Sequence, residues 1–248
     1  MSSTQTPSKP IVGKVLSQAI KLWLRSQAEQ IDQLEISILG NNRSILTGHI
    51  PQVTVQANSA VYRELHLSEI DLSASDIKIN IGQVLKGKPL RLLKAFPIDC
   101  HVCLLSEDLN TSSHSTLLNS AIAQHLLPLI QSQVVESGAT PHQENRNFSF
   151  PTDIESLQNL QIDLATDQLT LSAEMISTDD EQIPFSFHTE LYLASPKQLL
   201  LASPYLSLSQ QHYQLENMTL DLGTDVSLES LNISSEKLEM KGEIKVNP

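Results

Sequence analysis

The protein has 248 residues, of which 40% are hydrophobic and 18% are charged, and its net charge at pH 7 is −12. Intrinsically disordered chains combine low hydrophobicity with high charge, so this composition excludes that class. Two cysteines cannot form a disulfide framework and are typical of a reducing compartment. A protein that wraps nucleic acid needs a basic surface, so we expect a globular, acidic chain with no nucleic-acid partner.

The charge is distributed unevenly along the chain. Residues 1–100 carry 11 basic and 8 acidic side chains, a net charge of +3, and the remaining residues carry a net charge of −15. Attraction to an anionic surface must therefore come from the first hundred residues.

Residues 1–10 are rich in Ser, Thr, Pro and Gln and predict a disordered tail ahead of one domain over residues 11–248. The sequence has neither the uninterrupted apolar stretch of about 20 residues that a bilayer requires nor the charge order of a signal peptide. We therefore expect a cytoplasmic protein that touches the inner side of a membrane only peripherally.

The first predicted element is an amphipathic helix from Ile11 to about Gln30. One broad apolar arc of this helix contains Ile11, Val12, Val15, Leu16, Ala19, Leu22 and Trp23. Lys14, Lys21 and Arg25 form a narrow basic stripe opposite the arc, because spacings of seven and four residues return to one helix face. This stripe is either the solvated back of a core helix or a surface for anionic lipid headgroups, and the two interpretations are compatible.

After this helix the hydrophobic period changes to two, which is typical of strands with one apolar and one solvated face. The clearest alternating segments are 34–38, 53–57, 77–81, 185–193 and 238–246. The apolar phase changes within residues 213–222 and 226–233, which predicts β-bulges and a strongly curved sheet. We expect one antiparallel sheet to hold most of the chain, with Trp23 inside it.

A second helix is predicted after Ser106, which precedes two acidic residues as helix starts often do. Leu118, Ile122 and Leu126 recur at helical spacing along it. Residues 136–147 are polar and predict a surface loop.

No catalytic or metal-binding motif is evident. The sequence lacks a phosphate loop, a nucleophile elbow and a zinc-protease motif, and its eight histidines are scattered singly. Cys100 and Cys103 lie in a predicted strand, where positions three apart face opposite sides, so a redox or zinc pair is not expected. The sequence therefore predicts neither an enzyme nor a cofactor.

A sheet of about ten strands at ~4.8 Å spacing is too wide for two helices to cover its apolar face. The alternatives are closure into a barrel, packing onto a partner, or an apolar ligand held in an elongated aliphatic groove. Periodicity alone leaves these alternatives open.

Several stretches resemble the LmeA-type phospholipid-binding family, especially its cyanobacterial branch. They are residues 22–27 (LWLRSQ), 47–51 (TGHIP), 80–90 (NIGQVLKGKPL), 105–110 (LSEDLN) and 246–248 (VNP). The resemblance implies phospholipid binding on an α+β fold similar to tubular lipid-binding domains. In that fold a large, strongly curved antiparallel sheet is rolled around a long N-terminal helix plus a second helix.

Our leading hypothesis is a non-enzymatic protein that binds or shuttles phospholipid or another acyl lipid and contacts an anionic membrane surface. The acyl chains would contact Val12, Val15, Leu16, Ala19, Trp23, Leu118, Ile122 and Leu126. The headgroups would contact Lys14, Lys21, Arg25, Lys86, Lys88 and Arg91, although residues 86–89 also fit a solvated turn. The main rival is a protein-interaction module whose apolar groove receives a partner segment.

Overall fold

The computed structural model describes residues 11–136, 154–177 and 181–248. The predicted tail and residues 137–147 of the predicted loop lie outside these ranges. Within them the protein is α+β with antiparallel sheets, which confirms the predicted class. None of the helices in the described ranges has the length and hydrophobicity to span a membrane.

The N-terminal helix α1 covers Ile11–Gln27 and ends slightly earlier than predicted, because Gln30 already begins the first strand. Two short helices connect strands: α2 at Asn42–Leu46 and α3 at Ile81–Val84.

The predicted second helix is a broken helical segment. It consists of α4 at Ser106–Thr111, a 3₁₀ turn at Ser112–His114, α5 at Thr116–Ala121, a π turn at Ile122–Leu126 and α6 at Leu127–Glu136. The side chain of Ser115 caps α5 by accepting a hydrogen bond from the Leu118 N–H. The π turn lies just before Pro128, which has no N–H to continue the α-helical ladder and whose ring displaces the preceding turn.

The strands form two six-stranded antiparallel sheets in the described ranges, so the prediction of one sheet was wrong. Sheet 1 contains β1 (Gln30–Leu39), β2 (His49–Tyr62), β3 (Leu65–Lys78), β4 (Phe96–Leu105), β12 (Lys237–Val246) and β11 (Val226–Ile233), in this spatial order. Sheet 2 contains β10 (Met218–Asp221), β8 (Gln198–Leu208), β7 (Gln182–Ser195), β6 (Gln168–Ser177) and β5 (Ile154–Ala165), with β9 (Gln211–Gln214) also paired to β8. Alternating patterns show which face of a strand is apolar, but they do not show which strands are neighbours.

One predicted bulge is confirmed, whereas a connection between two strands stands in place of the other. The β11–β12 register shifts between Leu228 and Ser230, as the phase change predicted. Gly242 lies opposite this bulge, where a Cβ atom would approach the Ser227 carbonyl oxygen to 2.3 Å, so only glycine fits without movement. The phase change within residues 213–222 instead separates β9 from β10, which pair with different parts of β8.

The buried apolar side chains form two separate clusters. The first cluster lies between α1 and one end of sheet 1 and includes Leu16, Ile45, Ile50 and Ile77. The second cluster joins sheet 2 to the helices after Ser106 and also takes Leu104 and Ile233 from sheet 1. Helix α1 therefore covers only part of the apolar surface, and the broken helical segment covers another part.

Candidate functional site

An apolar cavity of about 180 Å³ lies beneath α1, against the inner face of sheet 1. Its side chains come from α1, from strands β2, β3, β4 and β12, and from the connection between β3 and β4. The lining residues are Ile20, Trp23, Leu24, Ile50, Val53, Val55, Leu72, Ala74, Ile77, Ile79, Leu90, Leu92, Phe96, Ile98 and Val246. We call this space the groove.

The position of α1 over the groove follows from the spacing of its large apolar residues. Leu16 and Ile20 are one helical turn apart and are buried, with exposed fractions of 1% and 8%. Trp23 and Leu24 continue this face and are half-buried, so the groove is open to solvent on their side. Leu22 is 70% exposed, and its predicted place on the packing arc was therefore wrong.

The walls of the groove are aliphatic and aromatic, with no charged or hydroxyl-bearing side chain among the lining residues. Its volume is close to the ~150 Å³ of an engineered apolar cavity that stays dry and binds benzene. The groove therefore has room for a short segment of one hydrocarbon chain, but not for two whole acyl chains. Its chemistry suits dispersion contacts and offers no group for acid–base or nucleophilic catalysis.

The structure separates the predicted lipid contacts into two places. Trp23 lines the groove, and Leu16 packs in the first cluster beside it. Ala19 is half-buried, and the side chains of Val12 and Val15 lie outside the described set. Leu118, Ile122 and Leu126 belong to the second cluster and are not among the groove residues, so the predicted residues do not line one common space.

Several groove residues were absent from the predicted site. Ile20 and Leu24 repeat at four-residue spacing after Leu16, and this stricter spacing could have identified them. Leu90 and Leu92 lie in the irregular connection before β4, where an isolated bridge between Ile79 and Leu92 is the only strand-like pairing. No periodic pattern marks such a segment, so its contribution to the groove is visible only in three dimensions.

The predicted cations occupy two surfaces. Lys21 is half-buried and Arg25 is exposed on α1, whereas the Lys14 side chain lies outside the described set. Lys86, Lys88 and Arg91 are all exposed in the connection that also supplies Leu90 and Leu92 to the groove. Among the described residues, no carboxylate lies within 4.0 Å of Lys86, Lys88 or Arg91.

The polar face of sheet 1 carries side chains that are paired with one another. His101 Nε2 lies 2.6 Å from Glu239 Oε1, and Lys237 Nζ lies 3.3 Å from Glu239 Oε2. The hydrogen bond from His101 and then that from Lys237 hold the pKa of Glu239 below its usual range. Within the described ranges, no group of three or more His, Cys, Asp or Glu side chains could hold a metal ion.

Cys100 and Cys103 lie in β4, as predicted, and both are free thiols. Burial raises the pKa of both thiols above the ordinary value. A raised pKa keeps the sulfur protonated at neutral pH, and the protonated thiol is a poor nucleophile and metal ligand. The geometry therefore gives neither cysteine the environment of a reactive thiolate.

Comparison with known proteins assigns the chain to a family. No curated protein and no solved structure matches the sequence. The model of the LmeA-like phospholipid-binding family matches residues 11–243, which include α1, both sheets except the last three residues of β12, and every residue of the groove except Val246. The chain therefore belongs to the LmeA-like phospholipid-binding family.

Proposed function

We propose that this protein is a non-enzymatic phospholipid carrier that holds part of an acyl chain in the groove and exchanges its lipid at an anionic membrane surface. The observation that carries the proposal is the groove itself, an apolar cavity of about 180 Å³ bounded by α1 and sheet 1. Family membership supplies the phospholipid class of ligand.

The energetics of the groove favour an apolar occupant. The side chains around the groove lack packing partners on the side that faces the empty space. Each methylene that leaves water for such a space contributes about 0.8 kcal/mol. A hydrocarbon segment therefore supplies the missing contacts, whereas a polar ligand would lose its hydrogen bonds to water without replacement.

The opening of the groove supports contact with a lipid headgroup. Leu90 and Leu92 line the groove, Arg91 lies between them in sequence, Lys88 lies two residues before Leu90, and both cations are exposed. A phosphate held there would be close to an acyl segment in the groove, and the exposed cations would stabilise its charge. Lys21 and Arg25 on α1 provide a second basic surface for a cytoplasmic membrane leaflet.

We expect no catalysis at the groove. An enzyme acting on lipid needs a nucleophile or activated water beside the bound chain, whereas the residues around the groove provide hydrocarbon side chains and the Trp23 indole. We expect the apolar groove and the two basic surfaces to bind and release a lipid without changing it chemically.

Organic extraction of the freshly purified protein, followed by mass spectrometry of the extract, tests the proposal. We expect phospholipid close to one molecule per chain, or uptake of added phospholipid to that level. A protein segment found in its place would support the rival interaction module, and a groove that refuses added lipid would contradict the proposal.

A further inference from the structure

Two connections meet at one end of sheet 1 and expose large apolar side chains there. The first segment, residues 39–48, consists of the last residue of β1 and its connection to β2, and the second segment, residues 79–95, joins β3 to β4. Both leave the same end of the sheet, because His49 pairs with Lys78 and Leu39 pairs with Gln52. We call these two segments the tip.

The tip is held together by its backbone. The Ile79 N–H donates a hydrogen bond to the Gly48 carbonyl oxygen at 2.9 Å. Gly48 has a φ of 84°, and a Cβ atom there would lie 2.6 Å from the Ile79 carbonyl oxygen, so glycine permits this close approach. The Asn80 side chain fastens the second connection by accepting from the Arg91 N–H at 2.7 Å and donating to the Pro89 carbonyl oxygen at 3.0 Å.

The exposed leucines of the molecule are concentrated at this end. Five large hydrophobic side chains are at least half exposed in the described ranges, and four of them belong to the tip. They are Leu39 at 56%, Leu46 at 50%, Leu85 at 50% and Leu93 at 61%. The neighbouring Ile45 and Ile81 are buried at 0% and 6%, so they anchor the connections while the leucines remain outside.

The charge of the tip is opposite to that of the rest of the chain. The tip contains five basic residues and no Asp or Glu, whereas the remaining residues carry a net charge of −17. The basic residues are Arg43, Lys86, Lys88, Arg91 and Lys94. Lys94 Nζ lies 3.9 Å from Asp76 Oδ2, and this is the only ion pair of a tip residue in the described ranges.

We infer that the tip docks on an anionic phospholipid bilayer, inserting its leucines into the interface while its cations contact lipid phosphates. Basic residues interspersed with exposed leucines along the tip match the layered chemistry of a bilayer surface, which has charged headgroups above hydrocarbon. A soluble protein partner would need a dedicated surface with acidic groups around an apolar pocket. An anionic bilayer provides both chemistries everywhere on its surface, as phosphates above hydrocarbon. Leu90 and Leu92 of the same connection line the groove, so docking would place the groove beside the lipid source. This inference rests on the proposed function, of which it names the membrane-contacting surface.

Co-flotation with vesicles tests the inference, using equal parts of phosphatidylglycerol and phosphatidylcholine at low salt. We expect the double variant Leu85→Gln/Leu93→Gln to lower vesicle partitioning by at least about tenfold. The reason is that two leucine side chains no longer enter the apolar part of the bilayer interface. Leu22→Gln is the matched control, since Leu22 is 70% exposed but lies on α1 outside the tip, and it should float like the parent. All three side chains are exposed, so far-UV circular dichroism should stay unchanged.

A second set of variants tests the charges. Lys86→Gln/Lys88→Gln/Arg91→Gln should lower partitioning by about a hundredfold on anionic vesicles and have little effect on pure phosphatidylcholine. Lys21→Gln/Arg25→Gln should change it less, because these residues lie outside the tip. A parent protein that does not float, tip variants that float like the parent, or a Leu22 variant that loses binding equally would each overturn the inference. Lipid extracted from the Leu85→Gln/Leu93→Gln variant separates this failure from failure of the proposed function, because neither leucine lines the groove and groove lipid should be retained when only docking is lost.

Discussion

The groove beneath α1 and the core of sheet 2 are built from similar aliphatic side chains but are packed differently. In the second cluster, sheet 2 is covered by the broken helical segment, and Phe187, Met175, Leu206 and Leu208 are all completely buried. In the first cluster, one helix of 17 residues covers the end of a six-stranded sheet and leaves about 180 Å³ between them. Hydrophobic composition alone therefore does not distinguish a solid core from one with an open groove, because the difference lies in how completely the sheet is covered.

The largest expected difference between the two regions is in the cost of losing an aromatic ring. Phe187→Ala should lower the free energy of unfolding by about 3–5 kcal/mol, because Phe187 is fully buried in the second cluster. Denaturant unfolding of the variant measures this cost. A loss below about 1 kcal/mol would mean that sheet 2 is as loosely packed as the groove.

Trp23→Ala should cost less, about 2 kcal/mol, although tryptophan is larger. Its ring is half-buried and borders the groove, so fewer packing contacts disappear than in a closed core. The same unfolding experiment, performed on delipidated protein, provides the measurement. A loss as large as that of Phe187→Ala would show that α1 closes the groove completely.

Two buried alanines provide a matched test of free space. Ala74 lines the groove and Ala173 lies in the second cluster, and each is 8% exposed. Ala173→Leu should destabilise the protein by about 1–3 kcal/mol through overpacking, whereas Ala74→Leu should change its stability by less than about 1 kcal/mol. Thermal unfolding of both delipidated variants measures the two losses of stability. Equal losses would show that the groove is packed as tightly as the second cluster.

The smallest expected effect concerns the polar face of sheet 1, which should be independent of the groove. The pKa of Glu239 is lowered, so the stabilisation that it contributes is present at neutral pH and is lost as the pH falls through the depressed value. Glu239→Gln should flatten the fall in stability under acidic conditions while leaving lipid content unchanged. Unfolding midpoints across an acidic pH series would refute this if parent and variant fell in parallel.

Much of the fold was predictable because its physical signals are local. The period of two identified strands, the phase change at Leu228 identified a bulge, and the four-residue spacing of Leu16 and Ile20 marks the buried side of α1. The division into two sheets was not predictable, because hydrogen bonding between distant strands leaves no trace in the alternation of a single strand. The sequence predicts one helix where the structure has the broken helical segment, because the apolar spacing continues across the π turn.

The candidate site was predicted only in part for the same reason. Trp23 and Leu16 lie where the helical pattern indicates, but Leu118, Ile122 and Leu126 pack in another cluster because a different sheet lies against them. Their contact with lipid stays a prediction. Leu90 and Leu92 reach the groove from an irregular connection, whose path depends on hydrogen bonds of Asn80 rather than on hydrophobic period.

The most direct test of the account is the lipid content of the two alanine variants after identical purification. The central claim is that the space beneath α1 holds an acyl segment, and a leucine at residue 74 occupies that space without touching the second cluster. We expect extracted phospholipid to fall at least about tenfold in Ala74→Leu, because several methylene contacts are lost. Ala173→Leu should retain the parental amount. Full lipid content in a folded Ala74→Leu variant would place the lipid elsewhere and contradict the account.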